Sequence, residues 1–413
     1  MLRTRPGIDA LPALANATPS ERFIYIACPW APLGGGMYKV ADYLIQSQTA
    51  DAAAGTARLR PLDTRGTAGA VLSLGALAMA LARIAWGRIG GGLAGVHVNM
   101  GERMSLFRKG VVIAACRAMG VPVVLHLHAQ METFYRTLPP LPQRLTRSVF
   151  LMASGVVVIG PAARRFVLDI LRVPAPRVDI VINGVPEAVA GGGRGPGHGP
   201  RRLLFVGNLS DRKGVVDLLR ALASPGLDTS DLQVTLVGGG DLARYRRKAR
   251  EMGLGSFVRF EGWCDQARTR ELLASSHVLV LPSHDEVLPL AILEALAHGV
   301  AVVATPVGEI PALLTDGCNA LFVPLRDPAG LAAGLQRVLY EPGLRESLGR
   351  NGRQLYEERF GLRAFFARVA SVHRRHFGIA AQFGEPPKGS KPVTNTAGKP
   401  TTAAPDGATM DSL

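Results

Sequence analysis

The sequence predicts an α/β protein built from two doubly wound domains in tandem, and three observations predict it. Short apolar runs alternate with segments of helical periodicity through the middle of the chain. The alternation is broken once, at residues 190–200 (AGGGRGPGHGP), a stretch too rich in glycine and proline to join a core. The length, 413 residues, exceeds what one domain of roughly 100–200 residues holds.

Taken in order, residues 1–20 read as a flexible arm. Phe23 to Ala27 is a short buried strand, Leu33-Gly34-Gly35-Gly36 a glycine turn and Met37 to Gln46 a helix, which is the opening of a βα unit. Ala68 to Ile89 is the most apolar run. It carries Arg83, Arg88 and several glycines, so it reads as a buried or membrane-surface helix rather than a spanning one. Ala94–Val98, Val121–His128, Gly155–Ile159 and Val178–Ile182 are further strands, with a helix at Leu106–Met119. After the break a second series begins, with strands at Leu203–Gly207, Gln233–Gly238, Val258–Phe260, Val278–Leu281 and Ala301–Ala304. Apolar runs without a polar face suit parallel strands covered by helices on both sides. The expected boundaries are a first domain at 21–189, a linker at 190–200 and a second domain at 201–351. Charged amphipathic helices at 352–379 are expected to cross back to the first domain, followed by a disordered tail at 380–413, rich in Pro, Gly, Thr and Lys.

Composition narrows the function classes. With 47% hydrophobic and 19% charged residues the chain is globular. Cys28, Cys116, Cys264 and Cys318 are scattered without a CxxC pair, which argues for reduced thiols and against a disulfide framework or a zinc site. The net charge of +15 suits an anionic partner, either a phosphorylated substrate or an anionic membrane face, though charge alone also reads as plain solubility. Zinc-finger spacing and aromatic RNA-binding signatures are missing, so nucleic acid is not expected. The first twenty residues lack the apolar stretch of a secretory signal. A cytoplasmic protein is expected, peripheral on the inner face of the plasma membrane if it binds lipid.

The strongest chemical signal is Leu281–Ala297. Glu286 and Glu294 are eight residues apart, with Pro289 placed to open a helix. Glu286 then lies on the loop and Glu294 within the helix. The amides of Val287 and Leu288 sit at its positive end, ready for phosphate oxygens or sugar hydroxyls. From spacing alone, two solvated glutamates beside a helix start would read the same. In Gly207–Gly214, Arg212 and Lys213 stand between a strand and a helix start, an anion site on physical grounds. Gly34-Gly35-Gly36 permits close backbone approach. His126 and His128 alternate on a strand and share a face, a spacing that allows a metal pair. No third ligand is near in sequence, so a metal is not expected.

Together these segments resemble the E-x7-E signature of family 4 retaining glycosyltransferases with the GT-B fold, two Rossmann-like domains facing each other across a cleft. Further matches follow in the family's order: the glycine loop, a strand ending in His128, Asn183-Gly184-Val185, Gly207–Gly214, Gly238-Gly239-Gly240-Asp241, Phe260-Glu261-Gly262-Trp263 and Thr305-Pro306-Val307-Gly308-Glu309. The resemblance covers residues 22–378. It implies a nucleotide-sugar donor whose diphosphate meets Lys213 and Arg212, whose sugar hydroxyls meet Glu286 and whose ribose meets Glu294. It places His128 near the donor sugar, with Gly35, Gly36, Asn183, Gly239, Val287 and Leu288 around the donor. Where the family usually has an arginine this chain has Asn208, which leaves Arg212 to make up the phosphate clamp. The chain contains no D-x-D motif, in keeping with a metal-independent site without cofactors. The segments Gly101–Gly110 and His126-Leu127-His128 resemble a subgroup of bacterial exopolysaccharide transferases, which implies a saccharide or lipid-linked saccharide acceptor. The competing readings are a soluble nucleotide-sugar enzyme of the same fold and a non-catalytic binding protein on that scaffold.

Overall fold

The computed structural model describes residues 22–30, 35–49, 55–66, 70–188 and 200–384. The N-terminal arm at 1–20, Leu33 and Gly34 of the glycine turn, linker residues 190–199 and the tail beyond 384 lie outside the described residues.

Among the described residues there are two parallel six-stranded sheets. The first contains β1 (Phe23–Cys28), β2 (Arg58–Asp63), β3 (Leu93–Met100), β4 (Val123–Leu127), β5 (Gly155–Val158) and β6 (Val178–Ile180), in the order β2-β1-β3-β4-β5-β6. The second contains β7 (Arg201–Val206), β8 (Leu232–Val237), β9 (Val258–Gly262), β10 (Val278–Leu281), β11 (Ala301–Ala304) and β12 (Leu321–Phe322), in the order β12-β11-β10-β7-β8-β9. The central strands β3, β4, β5, β10 and β11 are buried along their whole length, as apolar runs covered on both faces require. The strands β2 and β12 carry no such run. Arg58-Leu59-Arg60-Pro61-Leu62-Asp63 buries only Leu59 and Leu62 and pairs with β1 alone. An edge position tolerates both its arginines and its proline.

Right-handed crossovers decide which helices share a face. The helices Ala70–Ile89, Met104–Ala118 and Pro140–Met152 lie on links that all advance the same way across the first sheet, so they stand side by side. A core of Leu77, Ile84, Val112, Ile113 and Phe150 lies beneath them. Gly36–Gln46, on a link running the opposite way, covers the other face. Val40 and Leu44 of this helix belong to a core continuous with that of the second half.

The chain returns to the first half later than the composition suggests. The helix Pro342–Arg359 runs through the expected boundary at 352 and packs on the second sheet, with Gly352 against Leu296. The crossing comes at Phe360–Leu362, where Gly361 bridges Val185 and the Tyr356 hydroxyl donates to the Val185 carbonyl at 3.1 Å. The helix Leu362–Phe377 then lies on the first sheet. A Cβ at Gly155 would stand 2.5 Å from the His376 ring, so only glycine admits that approach. Residues 380–384, which the composition assigns to the tail, are tied to the first half. Ala57 and Thr49 amides donate to the carbonyls of Ala380 and Gln382, and Phe383 stacks on Phe366 at 4.7 Å. No helix among the described residues is long and apolar enough to cross a membrane.

Candidate active site

In each sheet the chain leaves two adjacent strands in opposite directions, β1 and β3 in the first, β7 and β10 in the second. Such switch points leave a crevice beyond the carboxyl ends of the strands. The two crevices face each other. Leu290 lies 3.5 Å from where a Gly36 Cβ would stand, Gln130 donates to the Glu286 carbonyl, and Gln266 donates to the Tyr43 hydroxyl at 2.8 Å.

On the second side, β7 runs into Gly207–Ser210 and a 3-10 turn at Asp211–Lys213. Gly214 closes this turn at φ +70°, and its missing Cβ makes room for the Pro282 carbonyl group. That close approach lays the β7 loop against the β10 loop. The His284 amide donates to the Arg212 carbonyl at 2.8 Å, and the His284 ring meets the Asp217 carboxylate at 2.6 Å. The result is a direct ion pair between Lys213 Nζ and Glu286 Oε1, to which Ser283 Oγ also donates at 3.2 Å. Burial, with Arg212 nearby, pushes the Lys213 ammonium down to about 8. Arg212 itself is more exposed, donating to the Asp285 carbonyl at 3.1 Å. The helix begins at Leu290, with Pro289 as the residue before it rather than its first. Val287 and Leu288 therefore lie on the approach, and Glu294 on the second turn. Gly239 stands beside Asn208, whose Oδ1 is 3.5 Å from the position a Cβ would take.

On the first side, Gly35 and Gly36 start the helix Gly36–Gln46 at the end of β1. Lys39, on its first turn, reaches across and pairs with Glu294 at 3.1 Å. His128, at the end of β4, contacts Asn99 Oδ1 through Nε2 at 2.8 Å. It ends a row of histidines whose other three members, His97, His126 and His373, are fully buried. His373 Nε2 lies 2.8 Å from His97 Nδ1, His97 Nε2 lies 3.2 Å from His126 Nδ1, and the His126 and His128 rings are 4.0 Å apart. Burial drives all four toward the neutral imidazole, His97 down to about 4 and His128 to about 3. Among the described residues no group of three or more His, Cys, Asp or Glu is disposed to hold a metal.

The structure thus brings Lys213, Arg212, Glu286, Val287, Leu288 and Glu294 to one side of the gap and Gly35, Gly36 and His128 to the other. Asn183 is set apart. Its neighbours Gly184 and Val185 pack against Phe365 and Gly361 at the crossing between the halves, and its buried Oδ1 has no hydrogen-bond partner among the described residues. Three residues that sequence reasoning left without a role also span the gap. They are Lys39, Gln130, and Glu309, whose carboxylate accepts from the amides of Ala162 at 3.0 Å and Ala163 at 2.7 Å. Lys39 sits one helical turn after the glycine pair, the only signal that could have marked it.

Comparison with known proteins bears on the fold and on the second half. Residues 194–355 match the family model described as glycosyl transferases group 1. A D-inositol 3-phosphate glycosyltransferase of Streptomyces bingchenggensis is 34% identical over 181 residues, which is 41% of this chain and 39% of that protein. The chain spans between about two fifths and two thirds of the length of the curated relatives it matches. Among solved structures, sucrose-phosphate synthase of Thermosynechococcus elongatus superimposes with a TM-score of 0.69 at 20% identity, over 86% of this chain and 99% of that one. Anabaena HepE in complex with UDP and glucose superimposes with a TM-score of 0.66 at 18% identity, over 85% and 99%. Residues 194–355 are thus similar to the glycosyl transferases group 1 family, and the chain as a whole has the GT-B fold.

Proposed function

We propose that the chain is a retaining, metal-independent hexosyltransferase. It moves a sugar from a UDP- or GDP-sugar to a growing, lipid-linked oligosaccharide in exopolysaccharide or cell-surface polysaccharide synthesis, on the cytoplasmic membrane face. The observation that carries this reading is the Lys213–Glu286 pair at the second switch point, beside the Lys39–Glu294 pair that spans the gap. Cation and carboxylate there have the complementary chemistry of a sugar diphosphate. That Anabaena HepE was crystallised with UDP and glucose supports a nucleotide-sugar donor. The net charge of +15 suits a phosphorylated acceptor at an anionic surface.

In this reading Lys213, Arg212 and the Val287 and Leu288 amides take the charge that collects on the leaving diphosphate as its bond to the sugar C1 breaks. The acceptor oxygen bonds C1 from the same face and passes its proton to a diphosphate oxygen. No second carboxylate across the bond is then required. Glu286 holds sugar hydroxyls and Glu294 the ribose. His128 offers a neutral imidazole to the sugar, since burial keeps the ring uncharged.

A thermal-shift panel of UDP- and GDP-sugars tests the reading. A donor at a hundred times its Kd adds about 2.7 kcal/mol to stability, so one base should raise the melting temperature by several degrees and the other should not. The same donor should be consumed by the native chain and not by Glu294→Ala. Binding without turnover in either would leave a binding protein on this scaffold.

A further inference from the structure

Three helices of the first half present an outer surface that the catalytic reading does not use. Ala70–Ile89, Met104–Ala118 and Pro140–Met152 contain seven lysines and arginines, of which Lys109 alone is buried, and no aspartate or glutamate. Surface helices of a water-soluble domain ordinarily show solvent a polar face. On Ala70–Ile89, Leu74, Met79, Trp86 and Ile89 are instead each more than half exposed. Met104 and Phe107 on the second helix and Leu141 and Leu145 on the third are exposed to the same degree. Arg83, Arg88, Arg117, Arg144 and Arg147 are interspersed among them.

We infer that this three-helix face docks on an anionic lipid bilayer. The inference rests on the membrane-located acceptor proposed above, to which it adds the surface and the orientation. Three features favour a lipid surface over a protein partner. The charge is of one sign over three adjacent helices, which complements a sheet of phosphate headgroups. Arginines among exposed apolar side chains can hold headgroups while Trp86, Phe107 and Leu145 enter the acyl boundary. The apolar surface is spread along helices none of which, among the described residues, is long and apolar enough to span. The placement also suits the reaction. In a parallel α/β sheet each helix starts near the carboxyl end of the strand before it. Leu74, Met104 and Leu141 therefore lie toward the edge of the first half that carries Gly36 and His128. A lipid-anchored acceptor on this face has a short path into the gap.

Flotation of the full chain with vesicles tests the inference. Vesicles with 30% phosphatidylglycerol should carry the protein and pure phosphatidylcholine vesicles should not, with binding reduced in 0.5 M salt. Trp86 emission should shift to the blue on binding, and the shift should vanish in Trp86→Phe. Phe107→Glu with Leu145→Glu should weaken partition at least tenfold. Arg117→Glu with Arg144→Glu should weaken it about 25-fold or more, at about fivefold per basic side chain near the surface. Trp263→Glu, an exposed tryptophan on the second half, should leave partition unchanged. Every variant side chain named is solvent-facing, so melting temperature and the nucleotide-induced thermal shift should match the native chain. If the native chain ignores anionic vesicles, or the Glu variants bind them as well as it does, the inference fails. It fails equally if those variants abolish self-association in the absence of lipid, since the face then meets a second copy. Loss of nucleotide binding with vesicle binding intact would count against the transferase reading alone.

Discussion

Acidification from pH 7.5 to pH 5 should destabilise the first half through its histidine row. His97 is buried and held down to about 4, against about 6.5 in an unfolded chain. Between those values the unfolded chain binds a proton that the folded chain does not, so stability rises with pH there and is lost as pH falls. For His97 alone the loss between pH 7.5 and pH 5 is about 2 kcal/mol. His128, held down to about 3, adds a loss of the same order, and His126 and His373 move the same way. Because the four rings touch in sequence, their protons come off as a set, and the total is several kcal/mol rather than four independent contributions. At about 2–4 °C per kcal/mol for a unit of this size, His97 alone lowers the melting temperature of the first half by about 4–8 °C. Calorimetric scans across that pH range measure it, with His97→Gln as the control. The variant should melt lower at pH 7.5 and lose less on going to pH 5. A melting temperature flat between pH 7.5 and 5, or an equal loss in the variant, would refute the reasoning.

Lys213→Met leaves Glu286 buried without its cation and, in the proposed reaction, removes the main counter-charge to the leaving group; transfer should fall at least about a hundredfold, and a fall under threefold in steady-state assays would remove Lys213 from the mechanism. Gly214→Ala must hold an unfavourable left-handed conformation, costing about 1 kcal/mol, and forces the Pro282 carbonyl away; nucleotide binding, followed by calorimetric titration, should weaken along with the melting temperature. Glu309→Ala frees the Ala162 and Ala163 amides and costs about 1–3 kcal/mol; hydrogen exchange at those two amides should rise while the second sheet stays protected. Lys39→Met releases Glu294 from its partner across the gap, so nucleoside diphosphate should bind about threefold tighter or better; weaker binding would mean that Lys39 holds the ligand rather than competing with it.

What could be read in the sequence was what repeats locally. The apolar runs of β3, β4, β10 and β11 announce buried parallel strands, and the segment from Leu281 to Ala297 announces a loop and a helix with a carboxylate on each. β2 escaped because an edge strand needs only Leu59 and Leu62 to face the core, and its arginines and Pro61 look like a loop. The crossing at Phe360–Leu362 escaped because the helices on either side of it are both charged and amphipathic; only the packing of Gly352 on one half and of Phe365 on the other tells them apart. Residues 380–384 escaped because the polar run that follows them dominates the local composition. The site was half legible for the same reason. Lys213 and Glu286 each follow a strand and stand beside a helix start. Lys39–Glu294 and Glu309–Ala163 join positions 255 and 146 residues apart, and nothing in the local pattern announces such a partner.

The path of the chain sets an order on its own synthesis. Residues 23–180 leave the ribosome first, but the helix that covers Gly95, His97 and Gly155 comes from residues 362–377. Until that helix emerges, the part of this face beside Gly36–Gln46 is bare apolar and imidazole surface. The second half runs unbroken from β7 to Arg359 and can close before it. The half made first is thus the half completed last, and a nascent chain paused before residue 362 offers chaperones a sheet with one side only partly covered.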